Sequence, residues 1–148
     1  PTLTLAEAGL SSTWRIGPQQ LDHGHSAYVE TVLGGTLKAL RPLPPVRLTW
    51  RSEASGITLN WIRQTREGGD SWDLAEVPLG EQVERYHLTI LDGSIVKRSV
   101  EVTAPTYLYT TATMLADFGA MPASFSVRLA QVSALVGDGT SLERIIHV

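Results

Sequence analysis

The stretch Val46-Arg47-Leu48-Thr49-Trp50-Arg51, answered a short turn later by Ile57-Thr58-Leu59-Asn60-Trp61, decides the fold. Val46, Leu48 and Trp50 alternate with Arg47, Thr49 and Arg51, while Ile57, Leu59 and Trp61 alternate with Thr58 and Asn60. A period of two places the apolar set on one side of an extended chain, the pattern of a strand with one buried face. The same beat returns at Tyr86, Leu88 and Ile90. It is less regular at Val96, Val100 and Val102, where Arg98 interrupts and is predicted to lie towards an edge. Tyr107 and Tyr109 mark a fifth run, Phe125, Val127 and Leu129 a sixth, and Leu142 to Val148 a seventh.

Turn signals separate these runs: Ser55-Gly56, Gly68-Gly69-Asp70, Asp92-Gly93, Pro105, Pro122 and Gly137-Asp138-Gly139. Asp92-Gly93 is expected to be the central pair of a hairpin turn, since both central positions of that turn favour positive φ. Only Thr113 to Phe118 shows helical spacing, through Met114, Leu115 and Phe118, with Gly119 placed to end it. Seven short strands with one brief helical turn predict an all-β, seven-stranded β-sandwich of immunoglobulin-like architecture. The chain has no cysteine, so packing alone must hold the sheets together.

Towards the amino terminus the pattern stops at Leu40-Arg41-Pro42-Leu43-Pro44-Pro45. Prolines at that density fit neither a helix nor a central strand, and the segment should run extended. Residues 42–148 are therefore the sandwich, and residues 1–41 are the end of a preceding domain or an extended arm clasping a neighbour. Short strands are expected there at Thr2–Ala6, Thr13–Ile16 and Tyr28–Leu33. The opening at Pro1, with no initiator Met and no secretory pattern, is read as a piece of a longer polypeptide.

Composition narrows the function classes. The chain has 148 residues, is 43% hydrophobic and 18% charged, and carries a formal charge of −3. That is enough apolar content for a real core, and too little basic surface for nucleic acid as the main partner. No apolar run approaches the roughly 20 residues of a membrane-spanning helix. The lack of cysteine excludes thiol nucleophiles, iron–sulfur clusters and cysteine-built zinc sites.

The residues then resemble known families at two levels. Pro45-Val46, Trp61, Tyr86 and the run Phe125-Ser126-Val127-Arg128-Leu129-Ala130-Gln131-Val132 resemble the fibronectin type III module over about residues 43–148. Phe125 stands where that module usually has a Tyr, so the hydroxyl's hydrogen bond is lost. The second resemblance is carried by Leu59-Asn60-Trp61-Ile62-Arg63-Gln64-Thr65-Arg66, Gly69-Asp70-Ser71-Trp72-Asp73, Glu76-Val77-Pro78-Leu79-Gly80-Glu81, Glu84-Arg85-Tyr86 and Ala116-Asp117-Phe118-Gly119. Together with Leu40 to Val46 these are similar to the carboxy-terminal part of the large host-specificity, or tail hub and tip, protein of gene transfer agents and siphophage-like tails. The resemblance implies a virion-structural component at the distal tail, made in the bacterial cytoplasm and threefold in its assembly. Its implied partners are hub and fibre proteins, and any glycosidase-like activity would belong to a TIM-barrel region elsewhere in the parent chain.

Candidate chemistry is sparse. Asp22-His23-Gly24-His25 is the one dense set of possible metal ligands, because His-x-His on an extended segment turns both rings to one side. It lacks an evident fourth group, and a solvated polar loop is the simpler reading. Gly69-Asp70-Ser71 resembles the nucleophile block of GDS-type lipases and esterases, yet no helix follows and no Asp-x-x-His block appears later. Asp117-Phe118-Gly119 resembles the kinase magnesium motif without the rest of that machinery, so Phe118 is expected to plug the core. Asp73, Glu76, Glu81 and Glu84 surround the long loop and are expected to form rim ion pairs with Arg63, Arg66 and Arg85. No catalytic residue and no cofactor is predicted.

The aromatic residues divide. Trp61, Tyr86, Phe125 and Val127 are predicted core, and Trp50 is either core or a cover on the sandwich end. Trp72 in its polar loop folds back over an edge or anchors a partner. Trp72 and Asp70 are interaction candidates, as are Tyr107 and Tyr109. The leading expectation is a non-enzymatic interaction module, with host-surface polysaccharide a further partner, and the alternative is a carbohydrate-binding module of a secreted or virion-borne protein stacking sugars on Trp72, Tyr107 and Tyr109.

Overall fold

A computed structural model describes residues 9–34, 37–66, 68–69, 73 and 77–148. The chain forms two compact units, Pro1–Leu40 and Arg41–Val148. In the first, β1 (Ser11–Ile16) and β2 (Val29–Gly34) pair antiparallel, with Ser11 opposite Gly34 and Ile16 opposite Val29. The loop between them is closed by Tyr28, whose hydroxyl donates to the Pro18 and Leu21 carbonyls at 2.9 and 3.1 Å. Its ring lies on Gly17, where a Cβ would come within 2.5 Å of the ring, so the close approach requires glycine there. A 3₁₀ turn, Leu37–Leu40, ends the unit. The strand expected at Thr2–Ala6 lies outside the described residues.

The second unit is the predicted all-β sandwich, in the fibronectin type III arrangement. One antiparallel sheet has the order β3 (Val46–Glu53), β4 (Gly56–Ile62), β7 (Thr106–Thr110). The other has the order β10 (Leu142–His147), β8 (Ser124–Ser133), β5 (Tyr86–Asp92), β6 (Ile95–Val102), with the two-residue β9 (Gly137–Asp138) also pairing β8. Their inner faces supply the core: Ile57, Leu59 and Trp61 from β4, Leu88 and Ile90 from β5, and Phe125, Val127 and Leu129 from β8. Trp61 stands edge-on to Tyr86 with ring centroids 5.2 Å apart, and Tyr109 stands edge-on to Phe125 at 5.5 Å. Such pairs add about 0.5–1.5 kcal/mol to the area they bury.

Three local features depart from the sequence pattern. Arg47 has φ +52°, the only positive φ at a non-glycine among the described residues, and the β3–β4 register shifts between Val46 and Thr49. This bulge sets Val46 opposite the outward Ile62, so Val46 leaves the face that Leu48 and Trp50 share. The hairpin turn is Gly93-Ser94 rather than Asp92-Gly93: Asp92 pairs with Ile95, and only Gly93 has positive φ, as in a type II′ turn. Arg98 remains on the inner side of β6 with Val100 and Val102, because a carboxylate waits for it there.

That carboxylate comes from α1 (Thr111–Phe118), which joins β7 to β8. Thr110 caps it by accepting from the Thr113 amide, and Gly119 closes it at φ +78° while donating to Leu115 O. Met114 is buried and Phe118 packs against the core, whereas Leu115 is exposed. No described helix is long and apolar enough to cross a membrane.

Candidate functional site

Within the sandwich, exposed polar and aromatic side chains converge where the edge strand β3 of one sheet faces the edge strand β10 of the other. Trp50 lies opposite Leu59 and so points inward, yet at the sheet margin it keeps 39% of its surface exposed. Its indole Nε1 donates to the His147 carbonyl at 3.1 Å, bridging the two sheets. On β10, Arg144 pairs with Val127 and Ile146 with Phe125, so both take the inward side. Ile146 is buried, and Arg144 sits exposed at the mouth. Leu48, Trp50, Ser126, Glu143, Arg144, Ile145 and His147 line an open groove of about 780 Å³. The Glu143 carboxylate is already held by Arg128 Nε. This settles Trp50 as a cover on the sandwich side, hydrogen-bonded and half-open.

Beneath α1 lies a second cluster. Asp117 accepts from Arg98 Nε and Nη2 at 2.7 and 2.9 Å, and from the Tyr109 hydroxyl at 2.6 Å. The Arg98 guanidinium holds the Asp117 carboxyl below the usual range, and the carboxylate in turn raises Arg98. Burial, then the Asp117 bond, pushes the Tyr109 hydroxyl far up. Burial also raises Tyr107. Three donors hold the Asp117 carboxylate, so the arrangement fastens the helix to the sandwich. The kinase-like Asp117-Phe118-Gly119 is thereby accounted for: Asp117 anchors, Phe118 packs under Lys97 (5.4 Å from the ring centre), and Gly119 terminates.

A third constellation was not anticipated. His87 Nε2 lies 2.6 Å from Ser99 Oγ, and its Nδ1 lies 2.8 Å from Asp138 Oδ2, on the outer face of the β5–β6 sheet. The order Ser–His–Asp is that of a hydrolase relay, but Ser99 sits mid-strand. Strand amides lie in the plane of the sheet, so none is aimed at an oxyanion forming above the side chain. A nucleophile of that kind needs a sharp strand-to-helix turn. The three groups act as a polar clasp holding the β9 turn to the sheet. Sequence reasoning had no way to find it, because its members come together only through strand pairing.

The predicted site residues fall as follows. Asp70, Ser71, Trp72 and Glu76 lie outside the described residues. Tyr109 is fully buried and offers no stacking face, which corrects its assignment as an interaction candidate. Tyr107 is half-buried against the same core, its ring stacked near Tyr109. Trp61, Tyr86, Phe125 and Val127 are core as expected. Around the long loop, Glu81 bonds Arg66 at 2.9 Å with side chains only 7% and 17% exposed, so this pair is inside rather than on the rim. Glu84 instead accepts from the Tyr86 hydroxyl at 2.6 Å, and Arg85 pairs with Glu101 at 3.5 Å. Arg63 donates to the Val77 and Pro78 carbonyls, stitching the loop to its own start.

In the first unit, Asp22 and His25 accept from the backbone amides of Gly24 and Ala27, and the His23 ring leans on Tyr28. The Asp22-His23-Gly24-His25 segment is thus a self-bonded turn. The hairpin has two unlike faces. Ser12, Trp14, Ile16, Val29, Thr31 and Leu33 share one side by register, and Thr13, Val32 and the Arg15–Glu30 pair lie on the other. On the apolar side Ile16, Val29 and Leu33 are 57%, 67% and 50% exposed.

Fold and surfaces define an all-β, fibronectin-type sandwich whose exposed chemistry lies along a strand edge. No family model and no curated protein matches the sequence. Among solved structures the chain is similar to domains d3–d4 of the extracellular region of rat CD45, at 8% identity and a TM-score of 0.49. That match covers 93% of this chain, which spans about 64% of the length of the other. Likeness at this level supports no statement about function.

Proposed function

We propose that this chain is a non-catalytic interaction module of a phage-like tail tip, from the host-specificity protein of a gene transfer agent or related tail. The observation that carries the reading is the amphipathic hairpin of residues 11–34. A two-stranded sheet on its own is marginal in water, and among the described residues this one leaves Ile16, Val29 and Leu33 open on a single side. A surface of that kind is completed by a neighbouring protein. The sequence resemblance supplies the neighbour: another subunit of the tail, packed around a threefold axis, with hub and fibre proteins beside it. Function then resides in surfaces that join virion parts rather than in a transforming pocket.

The test uses particles. Antibodies raised against residues 41–148 should label the distal tail end of purified tail-bearing particles in negative-stain micrographs. Label on heads only, or recovery of the parent chain exclusively outside particle fractions, would overturn the assignment.

A further inference from the structure

We propose that the groove between β3 and β10 is a binding site for acidic saccharide, with Trp50 as the stacking platform and Arg144 as the anion contact. This goes beyond the tail reading and does not depend on it, because every residue invoked belongs to the sandwich. It also moves sugar recognition away from Tyr109, which is buried.

Three observations converge. First, the indole of Trp50 is pinned by its bond to the His147 carbonyl and remains 39% exposed along the groove. A fixed, half-open aromatic face loses little freedom when a pyranose ring stacks on it. Second, Arg144 lines the same groove, and no hydrogen bond or ion pair engages it among the described residues. Glu143, the carboxylate lining the same groove, is held by Arg128, which leaves the Arg144 guanidinium without a paired carboxylate among the described residues. A guanidinium fork matches a carboxylate in two parallel bonds. Third, Ser126 and His147 line the groove with polar groups of the kind that meet sugar hydroxyls, and about 780 Å³ is room for a short oligosaccharide. An acidic peptide would also meet Arg144. The flat aromatic wall with hydroxyl-scale partners favours a ring-shaped, hydroxyl-rich ligand.

The probes are trigalacturonate, sialyllactose and a hyaluronan tetrasaccharide, each beside its methyl-esterified form, titrated into the intact 148-residue chain by calorimetry and amide–indole NMR. At least one acid should bind saturably with the Trp50 indole signal shifting, and its ester should bind at least tenfold more weakly. Arg144→Gln should reproduce that loss with an unchanged urea midpoint. Trp50→Ala should abolish binding, and Trp50→Tyr, which keeps a ring and guards against misfolding, should retain part of it. Acid and ester binding alike, an Asp/Glu-rich peptide shifting Trp50 while no saccharide does, or no binding by any probe would each overturn the proposal. A failure here with correct tail-end labelling would leave the tail assignment standing, and the converse result would leave this site standing.

Discussion

The hairpin of residues 11–34 and the sandwich of residues 41–148 are both written in period-two alternation, and they spend it differently. In the sandwich, Ile57, Leu59, Leu88, Ile90, Val127 and Leu129 meet across two sheets and are fully buried or nearly so. In the hairpin, Trp14, Ile16, Val29 and Leu33 share a face with Val32 on the other, and no described residue of that unit is buried. Alternation specifies which residues share a side. Burial needs a second layer, which the described residues of the sandwich supply and those of the hairpin do not. The tail proposal gives that apolar side a neighbour.

The comparison can be broken most forcefully at the core. Trp61→Ala should lower the sandwich's unfolding free energy by about 3–5 kcal/mol, read as a large fall in urea midpoint. A loss no greater than that of a surface substitution would mean the two layers are not clamped there. Next comes Gly56, at φ +142°, where a Cβ would meet the Tyr109 carbonyl at 2.2 Å and Thr110 Cα at 2.7 Å. Gly56→Ala should cost about 2–3 kcal/mol by combining backbone strain with forced separation of β4 from β7.

The Asp117 cluster gives a pH signature. Its folded carboxyl lies below the ordinary range because of Arg98. Its contribution is therefore complete above the unfolded value of about 3.9 and is lost as pH falls further, through the folded value. Unfolding midpoints measured between pH 6 and pH 2 should decline at the acid end, and Asp117→Asn should flatten that decline while removing about 1–3 kcal/mol at pH 6. Tyr86 and Tyr109 act at the opposite end. Burial raises both hydroxyls, so their contribution holds below about pH 10 and falls above it, as the unfolded tyrosines ionise first. The smallest effect belongs to the hairpin. Trp14→Ala should change the sandwich's midpoint by less than about 0.5 kcal/mol. Trypsin should cut after Arg15 and Lys38 and leave a 39–148 fragment with the parental midpoint; a shifted midpoint would show that the units stabilise each other.

Much of the sandwich was legible because turn residues and alternation agree. Gly93 and Gly119 both appear where local chemistry requires positive φ, and Trp61 and Phe125 fall on the inward beat. The Arg47 bulge was not legible: nothing in Val46-Arg47-Leu48 marks an extra residue, since a bulge is decided by the partner strand's register. The candidate site was missed for a related reason. Trp50 was recognisable as an aromatic at a strand position, but its partner Arg144 lies far along the chain and reads as an ordinary surface cation.

The sequence by itself determined the all-β class, the brief helix and its glycine stop, the proline-led start of the sandwich, and Trp61, Tyr86, Phe125 and Val127 as core. Those follow from local dihedral preference and the two-residue repeat, which need no distant partner. Only the tertiary structure decided that Tyr109 turns in to Asp117, that Ser99, His87 and Asp138 meet, and that Trp50 and Arg144 share an open edge. Each of those depends on which strands lie side by side and in what register, a global outcome of packing two layers together.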